Sequence, residues 1–256
     1  MRPALPELGD GLGKGRVPVL LEGLDLVVFD KDGTLIDFDL MWGGWAEELA
    51  DRLETVLGQP IRAELHRQIG YDTAARRTIP GSPLAATPMA QLRTLTTELV
   101  LRLTGRTWPE AAAVVDAAWT APDPVSLAHP LADLPVLFGS LRRAGVAIAI
   151  VTSDDRAPTE ATLAGLAVAG LVDAVVCADD GFPSKPSPDT ILEACRISGV
   201  EPGRAAMIGD SIADLQMAGA AGIGRRIGVL SGIGRRSELE PLADVLIGSI
   251  AELRPG

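Results

Sequence analysis

From Leu24 onward, short apolar runs alternate with longer mixed stretches, the pattern of strands and helices built around a parallel sheet. The runs fall at 24–29, 146–151, 174–178, 205–208 and 227–230, with 244–247 as a shorter edge candidate. Their nearly unbroken apolarity predicts strands buried on both faces, because a parallel sheet carries helices above and below. Helices are predicted around 133–144, 156–169, 187–198 and 211–220. The expected fold is α/β, a doubly wound, Rossmann-like parallel sheet.

The interval 36–130 interrupts this alternation. It holds helix-like stretches at 41–57, 60–69, 88–104 and 109–119 and no strand pattern, so it reads as an α-helical cap inserted into a core made of 24–35 and 131–256. The Pro-rich segment 121–130 is the returning linker and the residues after Thr34 are the outgoing one. Two such crossings form a hinge that permits a lid. Residues 1–23, rich in Gly and Pro and without a sustained period, read as an N-terminal arm with a short turn at its end. The Gly-rich stretch at 11–15 lacks both the Gly-Lys-Ser/Thr ending and the preceding strand of a phosphate loop. The pentapeptide Gly-Ile-Gly-Arg-Arg recurs at 222–226 and 232–236, too short for a structural repeat. Its four arginines read as a solvated basic face, with contact to an anionic ligand as the alternative.

Composition narrows the partner. The chain is 47% hydrophobic, ample for a packed interior, and its formal net charge of −11 repels polyanions. Nucleic acid and anionic membrane surfaces are therefore not expected as partners, and a small molecule is. Cys177 and Cys195 read as buried small hydrophobes and supply neither a disulfide framework nor a zinc site. The start of the sequence shows no continuous apolar signal segment, and no later stretch offers the roughly 18 uninterrupted apolar residues of a membrane span. A cytoplasmic location is expected.

The candidate chemistry lies at strand ends, where open α/β sheets bind ligands. Asp30-Lys31-Asp32-Gly33-Thr34 directly follows the first run, with two carboxylates one residue apart and a glycine that allows a tight turn. Gly209-Asp210-Ser211 ends another run, and Asp214 follows one helical turn beyond Asp210. Gathering Asp30, Asp32, Asp210 and Asp214 without a cation is costly, since like charges at close range oppose ionisation. A hard cation such as magnesium resolves the conflict. His66 and His129 stand outside these motifs, read as surface or cap residues and offer no zinc-like set. Thr152-Ser153 follows the run at 146–151, and Lys185 precedes a predicted helix; hydroxyl donors and an ammonium suit a transferring phosphoryl group.

On these residues the chain resembles the haloacid dehalogenase-like hydrolase superfamily, in the branch that includes phosphoglycolate phosphatases and β-phosphoglucomutases. Its four signature regions are matched in order by Asp30 to Thr34, by Thr152, by Lys185, and by Gly209-Asp210 with Asp214. The resemblance implies a magnesium-dependent phosphatase in which Asp30 attacks phosphorus to form an aspartyl phosphate, and Asp32 gives and takes the proton. It implies magnesium bound by Asp30, the backbone carbonyl of Asp32 and Asp210, with Gly209 and Asp214 in support. Thr152 and the amide of Ser153 would hold phosphoryl oxygens, and Lys185 would neutralise charge. Asp32 argues for phosphoryl chemistry over carbon–halogen cleavage. The substrate implied is a small phosphorylated metabolite, phosphoglycolate or a sugar phosphate.

Asp154 and Asp155 stand where many relatives carry Asn and a basic residue, and this added negative charge would disfavour highly anionic substrates unless the side chains turn away or cap the next helix. Arg76 and Arg77 in the cap are candidates for substrate contact. A sugar-phosphate mutase and a phospho-accepting receiver-like signalling domain are the competing readings; the helical insert and Asp32 argue against the second.

Overall fold

The computed structural model describes residues 18–87 and 89–253. Most of the expected arm, including the glycines at 11–15, lies outside the described residues; a 3-10 turn at Val19–Leu21 forms its end. The sheet strands are β1 (Leu26–Phe29), then, after the insert, β4 (Ala147–Val151), β5 (Ala174–Val176), β6 (Ala205–Gly209), β7 (Arg225–Val229) and β8 (Val245–Ile247). All five neighbouring pairs are parallel, in the order β5-β4-β1-β6-β7-β8. Each predicted run is a strand, displaced at either end by no more than two residues. Because the chain leaves β1 on one side and returns to β6 on the other, the switch point opens a crevice beyond the carboxyl end of β1.

Alternate strand residues serve two cores. Val27, Phe29, Ile148, Ile150, Ala206 and Ile208 share one face with Phe138 and Leu141 of α6 (Leu134–Arg143). Leu26, Val28, Ala149, Val151, Ala205 and Met207 share the other with Ile191, Ala194 and Cys195 of α8 (Asp189–Ser198) and Met217 of α9 (Ile212–Ala220). Both cysteines are buried, as the sequence suggests. Phe29 and Phe138 stack at 5.2 Å between ring centroids, so Phe138→Ala is expected to cost about 3–5 kcal/mol in urea denaturation, from lost transfer energy plus a cavity. The remaining core helices are α7 (Arg156–Gly165) and the short α10 (Arg236–Leu239). Helix α7 ends before the predicted 169, because Ala167 takes φ 58° and turns the chain into a 3-10 segment.

The stretch between β1 and α6 carries α1 (Gly44–Leu57), α2 (Arg62–Ile69), α3 (Pro83–Ala86), α4 (Met89–Thr104) and α5 (Trp108–Ala118). A π-helical turn, Asp39–Gly43, leads into α1. One expectation is corrected: the stretch is not strand-free. Tyr71–Asp72 (β2) and Arg77–Thr78 (β3) pair antiparallel, with Tyr71 opposite Thr78. Strands of two residues leave no periodic signal. They are held instead by side-chain bonds, with Asp72 Oδ1 accepting from the amides of Ala74 and Ala75, and Asp39 Oδ1 from the Thr78 amide at 2.7 Å. The outgoing and returning crossings run side by side, joined by Asp37 N to His129 O at 2.8 Å and Leu131 N to Leu35 O at 2.9 Å. His66 lies buried in α2 against Thr73 and Ala46, and His129 is exposed. Among the described residues no helix is long and apolar enough to cross a membrane.

Candidate active site

Three adjacent strand ends converge on Asp30. Its amide donates to Ile208 O of β6 at 2.9 Å, which continues the ladder one residue past β1 and fixes the side chain at the crevice. Lys185 reaches in from the segment before α8. Its ammonium spends its three donors on Asp30 Oδ1 at 2.6 Å, Asp214 Oδ1 at 2.7 Å and the carbonyl of Val151 at 2.8 Å. Asp210, at the end of β6, accepts from Thr34 Oγ1 at 3.2 Å and from the amide of Ile233 at 2.9 Å. Ser211, rather than Asp210, caps α9, in a reciprocal box with Asp214.

The carboxylates of Asp30, Asp210 and Asp214 are all buried, and they offer oxygens within 4.8 Å of one another. The crowding shows in the protonation of Asp30 and Asp210. Burial, ahead of the charges of Asp214 and Asp32, pushes Asp30 up to about 7 against the pull of Lys185. Burial and the charges of Asp30 and Asp214 hold Asp210 well above the ordinary carboxylate range. A trio of hard oxygen donors, two of which, Asp30 and Asp210, resist ionisation where they stand, fits a small divalent cation. Asp214 is already engaged by Lys185 and Ser211, so Asp30 and Asp210 are the carboxylates best placed to bind one.

Asp32 is handled separately. Lys31 is almost fully buried, at 1% side-chain exposure, and its ammonium touches Asp32 Oδ1 at 2.9 Å and Oδ2 at 2.8 Å and Asp154 Oδ2 at 2.9 Å. Burial works to lower the Lys31 pKa, but the two carboxylates outweigh it and the net shift is upward. Asp32 itself is raised to about 6, by burial first, relieved by Lys31 and reinforced by Asp154. The expected repulsive charge at Asp154 is therefore neutralised by an internal lysine, while Asp155 lies exposed at the start of α7. Thr152 is buried with Oγ1 accepting from the Asp154 amide at 3.1 Å, and Ser153 is exposed beside it.

Two glycines set how close the walls come. Gly33 adopts φ +80°, and a Cβ there would lie 2.6 Å from Asp210 Oδ2; at Gly232 it would lie 2.0 Å from the same oxygen. Gly209 is tight too, with a Cβ falling 2.5 Å from that of Asp214. The loop after β7 is thus part of the site, a role the sequence reading did not assign. Ser231 Oγ donates to Gly33 O at 2.7 Å, and Ile233 binds Asp210. The available signal was position: the loop follows a strand end, as the other motifs do. The two copies of Gly-Ile-Gly-Arg-Arg flank opposite ends of β7. In the first, Arg225 donates to Leu20 O and Arg226 pairs with Asp244; in the second, Arg235 and Arg236 stand exposed beside the crevice. Of the two arginines in the insert, Arg76 lies beside Tyr71 in a turn with φ 51°, and Arg77 faces Asp39 at 3.6 Å.

The chain belongs to the haloacid dehalogenase-like hydrolase family, whose model matches residues 24–222. It is 29% identical to validoxylamine A 7'-phosphate phosphatase of Streptomyces hygroscopicus subsp. limoneus, across 90% of this chain and 95% of that one. It is likewise 29% identical to a fructose-1-phosphate phosphatase of Escherichia coli, across 77% of this chain and 92% of that one. Among solved structures, a HAD family hydrolase from Deinococcus radiodurans R1 with bound phosphate and sodium superposes with a TM-score of 0.60 at 20% identity, covering 91% of this chain and 94% of that one. That likeness carries the fold. Family and phosphatase relatives together make the chain a phosphoric monoester hydrolase.

Proposed function

We propose that the chain hydrolyses a small phosphomonoester, of the sugar-phosphate or phosphoglycolate kind, through a phospho-Asp30 intermediate with magnesium. The observation that carries this reading is the division of labour between a buried carboxylate, Asp30, and a partly buried one, Asp32. Asp30 is gripped at Oδ1 by Lys185, which leaves Oδ2 for attack, whereas Asp32, two residues on, is held by a different lysine.

In the first half-reaction Asp30 forms a bond to phosphorus as the bond to the leaving oxygen breaks, and Asp32 supplies that oxygen with its proton. In the second, Asp32 takes a proton from water as the water displaces Asp30, releasing inorganic phosphate. A carboxyl near 6 suits this alternation, since it is readily found in either state around neutral pH. Thr152 and the Ser153 amide bind phosphoryl oxygens, and Lys185 balances charge on nucleophile and phosphate together. Magnesium, held by Asp30, Asp210 and the backbone carbonyl of Asp32, supplies charge neutralisation between nucleophile and phosphate when bound.

Phosphate release from p-nitrophenyl phosphate tests the reading. Activity is expected to disappear on treatment with EDTA and to return with excess magnesium but not with excess calcium, whose larger coordination shell holds the oxygens less tightly. Turnover that persists after full chelation would overturn the metal assignment.

A further inference from the structure

Between the β2–β3 hairpin and the loop after β7 lies a cleft of about 530 Å³. Arg77 and Thr78 form one wall; Gly232, Ile233, Arg235 and Arg236 form the other. The second wall backs onto the carboxylate trio, since Ile233 N donates to Asp210 Oδ2 and Gly232 is packed against that oxygen. The cleft therefore adjoins, across Gly232 and Ile233, the place where a phosphoester would react.

Its charge runs against that of the chain. The protein carries a net −11, yet three guanidinium groups line this one cleft. Arg235 and Arg236 are exposed and, among the described residues, have no ion-pair partner, while Arg77 meets only Asp39, at 3.6 Å. Asp72, the one acidic lining residue among those described, turns its Oδ1 to the amides of Ala74 and Ala75. A second, independent observation comes from Thr78. It is 94% buried (6% exposed), and its Oγ1 has no hydrogen-bond partner among the described residues. A buried hydroxyl without a partner is costly, and an acceptor arriving in the cleft would satisfy it.

We propose that this cleft is a subsite for a second anionic group, a carboxylate or a further phosphate, on the leaving portion of the substrate. Arg235 and Arg236 bind it, Arg77 closes over it from the hairpin, and Thr78 Oγ1 donates a hydrogen bond. The inference rests on the phosphatase reading for the first phosphate, and selects within it the acidic phosphoesters over neutral ones. Guanidinium groups suit such a task because they meet carboxylate and phosphate with paired donors.

Binding of non-hydrolysable phosphonates to the full chain with magnesium, followed by calorimetry, tests this without requiring turnover. The wild-type protein is expected to bind 3-phosphonopropionate or propane-1,3-diphosphonate at least about tenfold more tightly than propylphosphonate, and whichever of the two charged probes is preferred identifies the second group. Replacing both Arg235 and Arg236 by Ala is expected to remove most of that advantage, and replacement by Lys to restore part of it. A melting curve and the propylphosphonate affinity report whether the double variant is folded. Equal affinity for charged and neutral probes in the wild type would overturn the proposal. So would an advantage that survives loss of both arginines. Failure of the parent phosphatase reading shows elsewhere, as no phosphate released from any ester, while the affinity ratio still decides the cleft.

Discussion

Asp30→Asn is expected to lower kcat for phosphate release by at least about 10⁴-fold, without loss of the fold. An amide cannot replace the attacking carboxylate, and neither Asp32 nor Asp214 can substitute for it. Asp32 is held by Lys31 on the other side of the turn, and Asp214 is bound by Lys185 and Ser211. The effect on stability has the opposite sign. Folding raises the Asp30 carboxyl from 3.8 to about 7, so the folded state binds the proton more tightly than the unfolded one. Stability from this group therefore falls as pH rises between about 4 and 7, and the whole deficit is present above 7. Asn removes the deficit along with the charge. In EDTA at pH 8 the variant should melt at or above the wild-type temperature while showing no turnover. A variant that is inactive because it is unfolded would sink the nucleophile assignment, and so would one that retains turnover.

Much of this site was legible before any coordinate. Apolar runs buried on both faces specify strands in a parallel sheet, and such a sheet brings its carboxyl ends to a single edge. The positions of Asp30, Thr152 and Asp210 at strand ends, with Asp214 one helical turn on, were therefore enough to group them, whereas Lys185 follows no strand end and joined them through the family resemblance. What escaped were features without periodicity or local motif. Thr34 meets Asp210 across 176 residues and Ser231 meets Gly33 across 198, and no spacing rule reaches that far. The β2–β3 hairpin escaped because two-residue strands have no alternation to detect.

Lys31 is the more instructive omission. A lysine between two aspartates in sequence reads as part of a solvated turn, yet here it points inward and carries the charge of Asp32 and Asp154 together. The same contact explains why Asp154 can occupy a position where negative charge looked unfavourable. Two lysines thus divide four acidic groups between them, Lys185 taking Asp30 and Asp214, Lys31 taking Asp32 and Asp154. The arrangement keeps Asp30 and Asp32, the proposed nucleophile and proton donor, electrostatically distinct although only one residue separates them.

That division makes Lys185→Met the complementary experiment to Asp30→Asn. Methionine matches the length of lysine but leaves Asp30, Asp214 and the Val151 carbonyl without their shared donor. These groups are buried, with side-chain exposures of 11% for Asp30 and 2% for Asp214, so solvent replaces little of what is lost. Breaking a buried ion pair from one side costs about 3–5 kcal/mol, and losing a charge that faces the reacting phosphoryl group costs about 10²–10³-fold in kcat. The stability loss should depend on pH. Without the ammonium the carboxyl of Asp30 moves further above its unfolded value, so its ionisation opposes folding over a wider range, and the variant is less impaired at pH 5 than at pH 8. Adding Asp214→Asn removes one of the stranded charges, and is expected to recover part of the stability at pH 8 but none of the activity. Urea denaturation in EDTA at both pH values, alongside kcat for each variant with magnesium, separates the two roles. If the single variant loses equal stability at pH 5 and pH 8, or if the double variant regains turnover, Lys185 does not balance the charge of Asp30 in the way its geometry indicates.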